Sequence, residues 1–172
     1  QIGLSPLGLV GILREIQRQQ KTSGDIADEY LLTHPISEDR ISFIENYVKD
    51  NPQVDKKTPP ELEEKFNIIK AKVKGFLENP DKTFQYYSGQ NTKPAKYAKA
   101  IAHNKKGEFL QSDDLLNQLI AAEPQNPYYL ETKAQFLFER GEIERSIKEY
   151  KEVLFMLGNS ELVRLKLAEV ML

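Results

Sequence analysis

Apolar side chains recur every three to four residues along most of this chain, and nowhere do they fall into the two-residue alternation of a half-buried strand. The rhythm predicts an all-α fold built of antiparallel helical hairpins. Near the start, Ser5-Pro6 offers an N-cap followed by a proline at the first helical position. Leu9, Ile12, Leu13 and Ile16 then mark a helix that should fade near Thr22-Ser23-Gly24. Ser37 is a plausible cap for a second helix, with Glu38 and Asp39 placed where acids favour the helix dipole and Ile41, Ile44 and Val48 as its stripe. That helix should stop at Asn51-Pro52. Residues 51–60, NPQVDKKTPP, are polar, hold three prolines and show no period, so they predict a linker. Beyond it, Thr58-Pro59-Pro60-Glu61 reads as a capping box, and Leu62, Phe66, Ile69, Val73 and Phe76 predict one long buried stripe ending near Asn79-Pro80.

The last eighty residues repeat. Gly107 and Gly141 stand 34 positions apart, as do Ala100, Ala134 and Ala168, and in the same register Phe109 matches Ile143, Ser112 matches Ser146 and Leu116 matches Tyr150. Small residues at the alanine positions let two antiparallel helices approach, and glycine permits the turn between them. Over residues 93–172 this pattern resembles the tetratricopeptide repeat. It departs from the family's habit at Lys96 and Leu130, where a bulky aromatic is usual, and at the serines that replace alanine in each second helix. Residues 61–92 would then be connector helices or a degenerate hairpin that caps the array.

Composition narrows the chemistry. Among 172 residues the net charge is −2, so the chain as a whole has no footprint for phosphate backbones or anionic lipid, and nucleic acid is not an expected partner. Cysteine is absent, which removes disulfides, thiolate nucleophiles and Cys-type zinc sites. The most apolar run, IGLSPLGLVGIL at residues 2–13, is too short to span a bilayer and is expected to be core rather than a transmembrane segment. The start at Gln1 and the end inside an apolar helical pattern lead to the expectation of a piece of a longer protein.

Only two histidines occur, His34 and His103. A lone histidine in a loop is most often just a polar loop residue, and His103 falls where a repeat helix should face its neighbour, so packing is its expected role. The context of His34 adds to that. YLLTHPISEDRI, residues 30–41, resembles the "THP…RI" segment late in the catalytic domain of the HtpX-like zinc metallopeptidase family. GLSPLGLVGILREI is similar to the helix before that segment, IIKAKVKGFLENP to the connector after it, and the repeats close the chain as in the family's BepA-like periplasmic members.

The resemblance implies that residues 1–50 are the tail of a metallopeptidase domain whose zinc would be held by a His-Glu-x-x-His helix that this chain does not contain. It implies a zinc metalloendopeptidase as the full-length parent, a periplasmic location, and partners in the outer-membrane β-barrel assembly machinery and its unfolded clients. The chain alone, with two distant histidines, is expected to be inactive and to hold no zinc of its own. By position His34 would be the latch that fills the open zinc site and displaces the water a metallopeptidase must activate. Pro35 would keep His34 extended, and Arg40 matches the family arginine that would orient the loop or pair with a carboxylate near the metal. Transferring the repeat register predicts a partner-binding groove lined by Tyr97, Ile101, Asn104 and Lys105 from one hairpin and Tyr128, Glu131, Gln135, Phe138 and Glu139 from the next. A helical repeat adaptor, or a chaperone-like module with no protease parent, remains the alternative.

Overall fold

The computed structural model describes residues 5–22, 38–54, 57–158 and 160–172. All regular structure among them is helical, as the spacing of apolar residues requires: nine α-helices and one 3-10 turn. The chain forms two compact units, residues 1–63 and 64–172.

In the first unit, α1 (Leu7–Thr22) and α2 (Glu38–Asp50) pack together and bury Val10, Ile41 and Val48. The Ser5 hydroxyl accepts from the Leu7 amide at 3.3 Å, so the N-cap sits where the Ser-Pro pair puts it. Arg14 reaches Glu45 at 2.6 Å and Gln17 reaches Glu38 at 3.2 Å, lacing the two helices along their wet edge. The expected linker is not wholly irregular: Pro52–Val54 makes a 3-10 turn.

The long helix α3 (Pro60–Leu77) begins at the second of the two prolines, where a missing amide costs nothing. Its apolar stripe does not do what its spacing predicts. Phe66, Ile69 and Val73 are 62, 62 and 51% exposed, and the helix packs instead through Ile68, Ala71 and Gly75 on its opposite side, with Phe76 alone of the expected stripe tucked in from the flank. The reason is that α3 is apolar on two faces, and the inner face carries the small residues that permit close approach. Short α4 (Pro80–Tyr86) follows, capped by the Asn79 side chain, which accepts from the Asp81 amide at 2.9 Å.

Two hairpins come next, α5 (Lys93–Lys105) with α6 (Phe109–Ala122) and α7 (Pro127–Glu139) with α8 (Ile143–Leu157), then α9 (Glu161–Met171). Helix starts at 93, 127 and 161, and at 109 and 143, keep the 34-residue interval. The turns repeat in conformation as well as in spacing. Lys106 and Arg140 share φ −89° and ψ −2°, and Gly107 and Gly141 follow at φ 76° and 78°, a left-handed backbone that glycine enters without strain. Ala100 and Ala134 are fully buried at the hairpin crossings, as are Ser112 and Ser146 opposite them. The Ser146 hydroxyl donates to the Ala134 carbonyl at 2.7 Å. Ala168, the third position of the series, is exposed on α9.

Candidate functional site

The repeat surface that was expected to form a groove is built from α5 and α7, and α3 lies against part of it. Lys93 at the head of α5 binds both Glu64 on α3, at 2.8 Å, and Glu123 at the end of α6; its hydrogen bond, supplemented by Asn126, holds the Glu123 carboxyl below the usual range. At the other end Lys105 donates to the carbonyls of Phe76 (2.8 Å) and Glu78 (2.6 Å), satisfying the unpaired carbonyls at the end of α3 with a positive charge where the helix dipole favours one. Between these tethers Gly75 passes so close to Ile101 that a β-carbon there would lie 2.9 Å from the Ile101 β-carbon. Lys72 crosses to Glu131 on α7 at 2.7 Å, and the Phe76 ring meets Phe136 at 6.2 Å between centroids. Helix α3 therefore runs parallel to α5 and touches both repeat hairpins.

This arrangement corrects two of the nine groove assignments. Tyr97 and Ile101 are fully buried and line nothing. Tyr97 points inward, its ring edge-on to Tyr129 at 5.0 Å and its hydroxyl 2.6 Å from the Thr132 hydroxyl. Burial drives its pKa far above the ordinary tyrosine value, against the smaller opposing effect of the Thr132 hydrogen bond. The other seven positions are reachable to different degrees. Lys105 is exposed but its ammonium is engaged by α3. Asn104 is half-buried and accepts from Arg140 at 2.7 Å. Phe138 is half-buried against the second core cluster, around Leu130, Ala134 and Tyr150. Tyr128 is 56% exposed, and Glu131, Gln135 and Glu139 follow it at helical spacing, leaving one mixed aromatic, amide and acidic row open on α7. Gln135 donates to Glu139 at 2.8 Å, which orders the end of that row.

The hairpin turn holds a residue that motif reading passed over. Arg140 keeps only 6% of its side chain exposed, binds both oxygens of Asp113 (2.9 and 3.0 Å), grips Asn104 and lies 4.4 Å over the Phe109 ring. Asp113 is thus the counter-ion of a buried guanidinium. The 34-residue equivalent, Lys106, pairs with Asp81 at 3.0 Å and stands over Phe84. His103 packs on Phe84, with ring centroids 4.6 Å apart, and its Nδ1 lies 2.6 Å from Glu108.

His34 and Pro35 lie outside the described residues. Arg40 is exposed in the first turn of α2, at the edge of an apolar depression of about 430 Å³ formed by Leu9, Leu13, Phe43 and Ile44. Among the described residues no three His, Asp or Glu side chains come together as a metal site, and no helix is long and apolar enough to cross a membrane. Comparison with known protein families, with curated proteins and with solved structures finds no match to this chain.

Proposed function

We propose that the chain is the regulatory and protein-binding part of a zinc metalloendopeptidase of the HtpX-like family, acting in the periplasm on outer-membrane protein quality control and assembly. In this reading the two hairpins and α9 are tetratricopeptide repeats that capture assembly machinery or unfolded clients. His34 caps the zinc of the full-length enzyme, with Pro35 and Arg40 shaping its loop, and zinc is the parent's cofactor rather than this chain's. The order of sequence landmarks around His34 supports the protease parent. The row Tyr128, Glu131, Gln135 and Glu139 is the observation that carries the binding role, because a solvent-facing aromatic followed at successive helical turns by carboxylate and amide groups, already ordered by Lys72 and by one another, suits an extended or helical polypeptide.

The binding test is a titration of the purified chain against the solubilised β-barrel assembly complex. Tyr128→Ala with Gln135→Ala should weaken capture at least tenfold, about 1.4 kcal/mol, without lowering the melting temperature. Unchanged affinity refutes the row as the contact. In the full-length enzyme, His34→Ala should raise basal proteolysis with zinc retained; equal or lower cleavage with zinc bound refutes the latch.

A further inference from the structure

The outer face of α3 is apolar and bare. Phe66, Ile69, Val73 and Leu77 recur at intervals of three and four, which puts them on one side of the helix, and they are 62, 62, 51 and 81% exposed. The opposite side is fixed against the hairpins through Ala71 and Gly75, Phe76 packs in from the flank, and the tethers at Lys93 and Lys105 hold both ends. So the stripe is presented on a rigid support rather than on a free helix. Four large side chains in one continuous row are more than the scattered exposed hydrophobics that any surface carries.

The charges beside the stripe identify what fits it. Lys65 flanks one side; Lys70 flanks the other, 5.8 Å over the Tyr86 ring, with Glu63 two turns before it; both lysines are exposed, and neither has an anionic partner among the described residues. The remaining lysines of this stretch are committed: Lys72 to Glu131 and Lys74 to Glu78. A second copy is a poor occupant. Pairing two α3 helices antiparallel so that Phe66 meets Val73 brings the two Lys70 side chains together at the centre, and parallel pairing sets Lys65 of each copy beside Lys70 of the other. Like charges in such positions destabilise a helix pair and steer it towards other partners.

We propose that the outer face of α3 is a docking site for an amphipathic helix of another protein, one whose apolar stripe is bordered on both sides by aspartate or glutamate. The partner's stripe covers Phe66, Ile69, Val73 and Leu77, and its acidic borders neutralise Lys65 and Lys70. This face is separate from the α7 row, so either can fail without the other.

The probe is a fluorescent amphipathic peptide of about five helical turns, with a leucine stripe flanked by glutamates, titrated into the 172-residue chain by anisotropy; an otherwise identical peptide flanked by lysines is the control. The glutamate peptide should bind at least tenfold more tightly than the lysine peptide. Phe66→Ser with Val73→Ser should abolish binding while leaving the melting temperature unchanged or raised, since both side chains are exposed. Lys65→Glu with Lys70→Glu should reverse the preference. Equal affinity for the two peptides, or binding indifferent to the serine pair, overturns the proposal. Early melting of the serine variant also overturns it by showing that the face is already packed within the chain, and a concentration-dependent dimer lost in that variant overturns it in favour of a second copy.

Discussion

A glycine in the last turn of an 18-residue helix forfeits up to about 1 kcal/mol relative to alanine, so Gly75 should be improvable by Gly75→Ala unless something needs the missing methyl's space. The structure shows what needs it. A β-carbon at position 75 would lie 2.9 Å from the Ile101 β-carbon, 3.1 Å from Ile101 Cδ1 and 3.2 Å from the Ala98 carbonyl oxygen. Carbon pairs are comfortable at about 3.5–4.0 Å, so the contact is short by more than half an ångström. Rotamer change relieves only the Cδ1 contact, because the other two atoms belong to the α5 backbone and the first carbon off it. Ile101 is fully buried, and α3 is tethered to α5 at both ends, so the helices cannot part without losing those bonds. Overpacking of this kind costs about 1–3 kcal/mol, and subtracting the propensity gain of about 1 leaves a net loss near 1 kcal/mol. Chemical denaturation followed by circular dichroism should show that loss, with the melting temperature of the hairpin unit down by about 4 °C or more. Gly11→Ala is the matched control: it too sits inside a helix, but nothing lies within 4 Å of its would-be β-carbon, so it should stabilise. If Gly75→Ala is as stable as the parent chain or more so, α3 does not pack on α5 as described.

Arg140→Ala should cost about 2 kcal/mol of unfolding free energy, because it strands Asp113 and Asn104 and uncovers Phe109, and Arg140→Lys should recover less than half of it, since an ammonium cannot grip both partners while lying flat on a ring; a full lysine rescue in urea melts refutes the bidentate geometry. Alkaline unfolding is the third expectation. Burial pushes Tyr129 and Tyr150 up to about 12 and Tyr97 further, all from an unfolded value of 10. A folded pKa raised above the unfolded one means the native state keeps protons that the unfolded chain releases, so their contribution is whole below pH 10 and lost as pH rises from 10 towards 12. Absorbance at tyrosinate wavelengths should show late-titrating tyrosines ionising together with the loss of helical dichroism; tyrosinate formation at ordinary pH with full helicity would contradict their burial.

The repeat hairpins were legible because two independent signals coincide at the same interval: the glycines 107 and 141, and the small residues at the crossings. The face of each helix was harder to read. In α3 a period-matching stripe from Phe66 to Val73 exists and yet faces solvent, because hydrophobic spacing reports that a helix is amphipathic and says nothing of which of two apolar faces has the better-shaped neighbour. The signal for the right answer was a single residue. Gly75, inside the last turn of α3, marks close approach on its own side of the helix, and that side includes Ala71. Tyr97 and Ile101 were misassigned because register alone cannot report which neighbour takes up a side chain: α3 covers Ile101, and α7 takes in Tyr97 against Tyr129 and Thr132. Arg140 was missed because its partners, Asp113 and Asn104, lie 27 and 36 residues away in sequence.

The covering of α5 also explains why the open contact row lies on α7 and not on α5. Helix α3 runs alongside α5 and packs on Ile101 through Gly75, while Tyr97 is turned into α7 against Tyr129 and Thr132, so the surface that the first hairpin would have offered is replaced by the outer face of α3 itself. Filling one groove with a helix that is apolar on both sides exchanges the expected aromatic groove for an apolar ridge of Phe66, Ile69, Val73 and Leu77 rimmed by Lys65 and Lys70. The two surfaces select different ligands. A mixed row such as Tyr128 to Glu139 suits a polypeptide that supplies its own hydrogen-bonding groups, whereas a bare apolar ridge rewards only shape and buried area and depends on its cationic borders for orientation. Because the ridge's inner side is held by Gly75 and by the Lys93 and Lys105 tethers, loosening that side with Gly75→Ala should weaken docking on the outer side even though no outer residue changes. A variant that keeps full peptide affinity while losing stability would show that the ridge needs only helix α3, and not its seat on the hairpins.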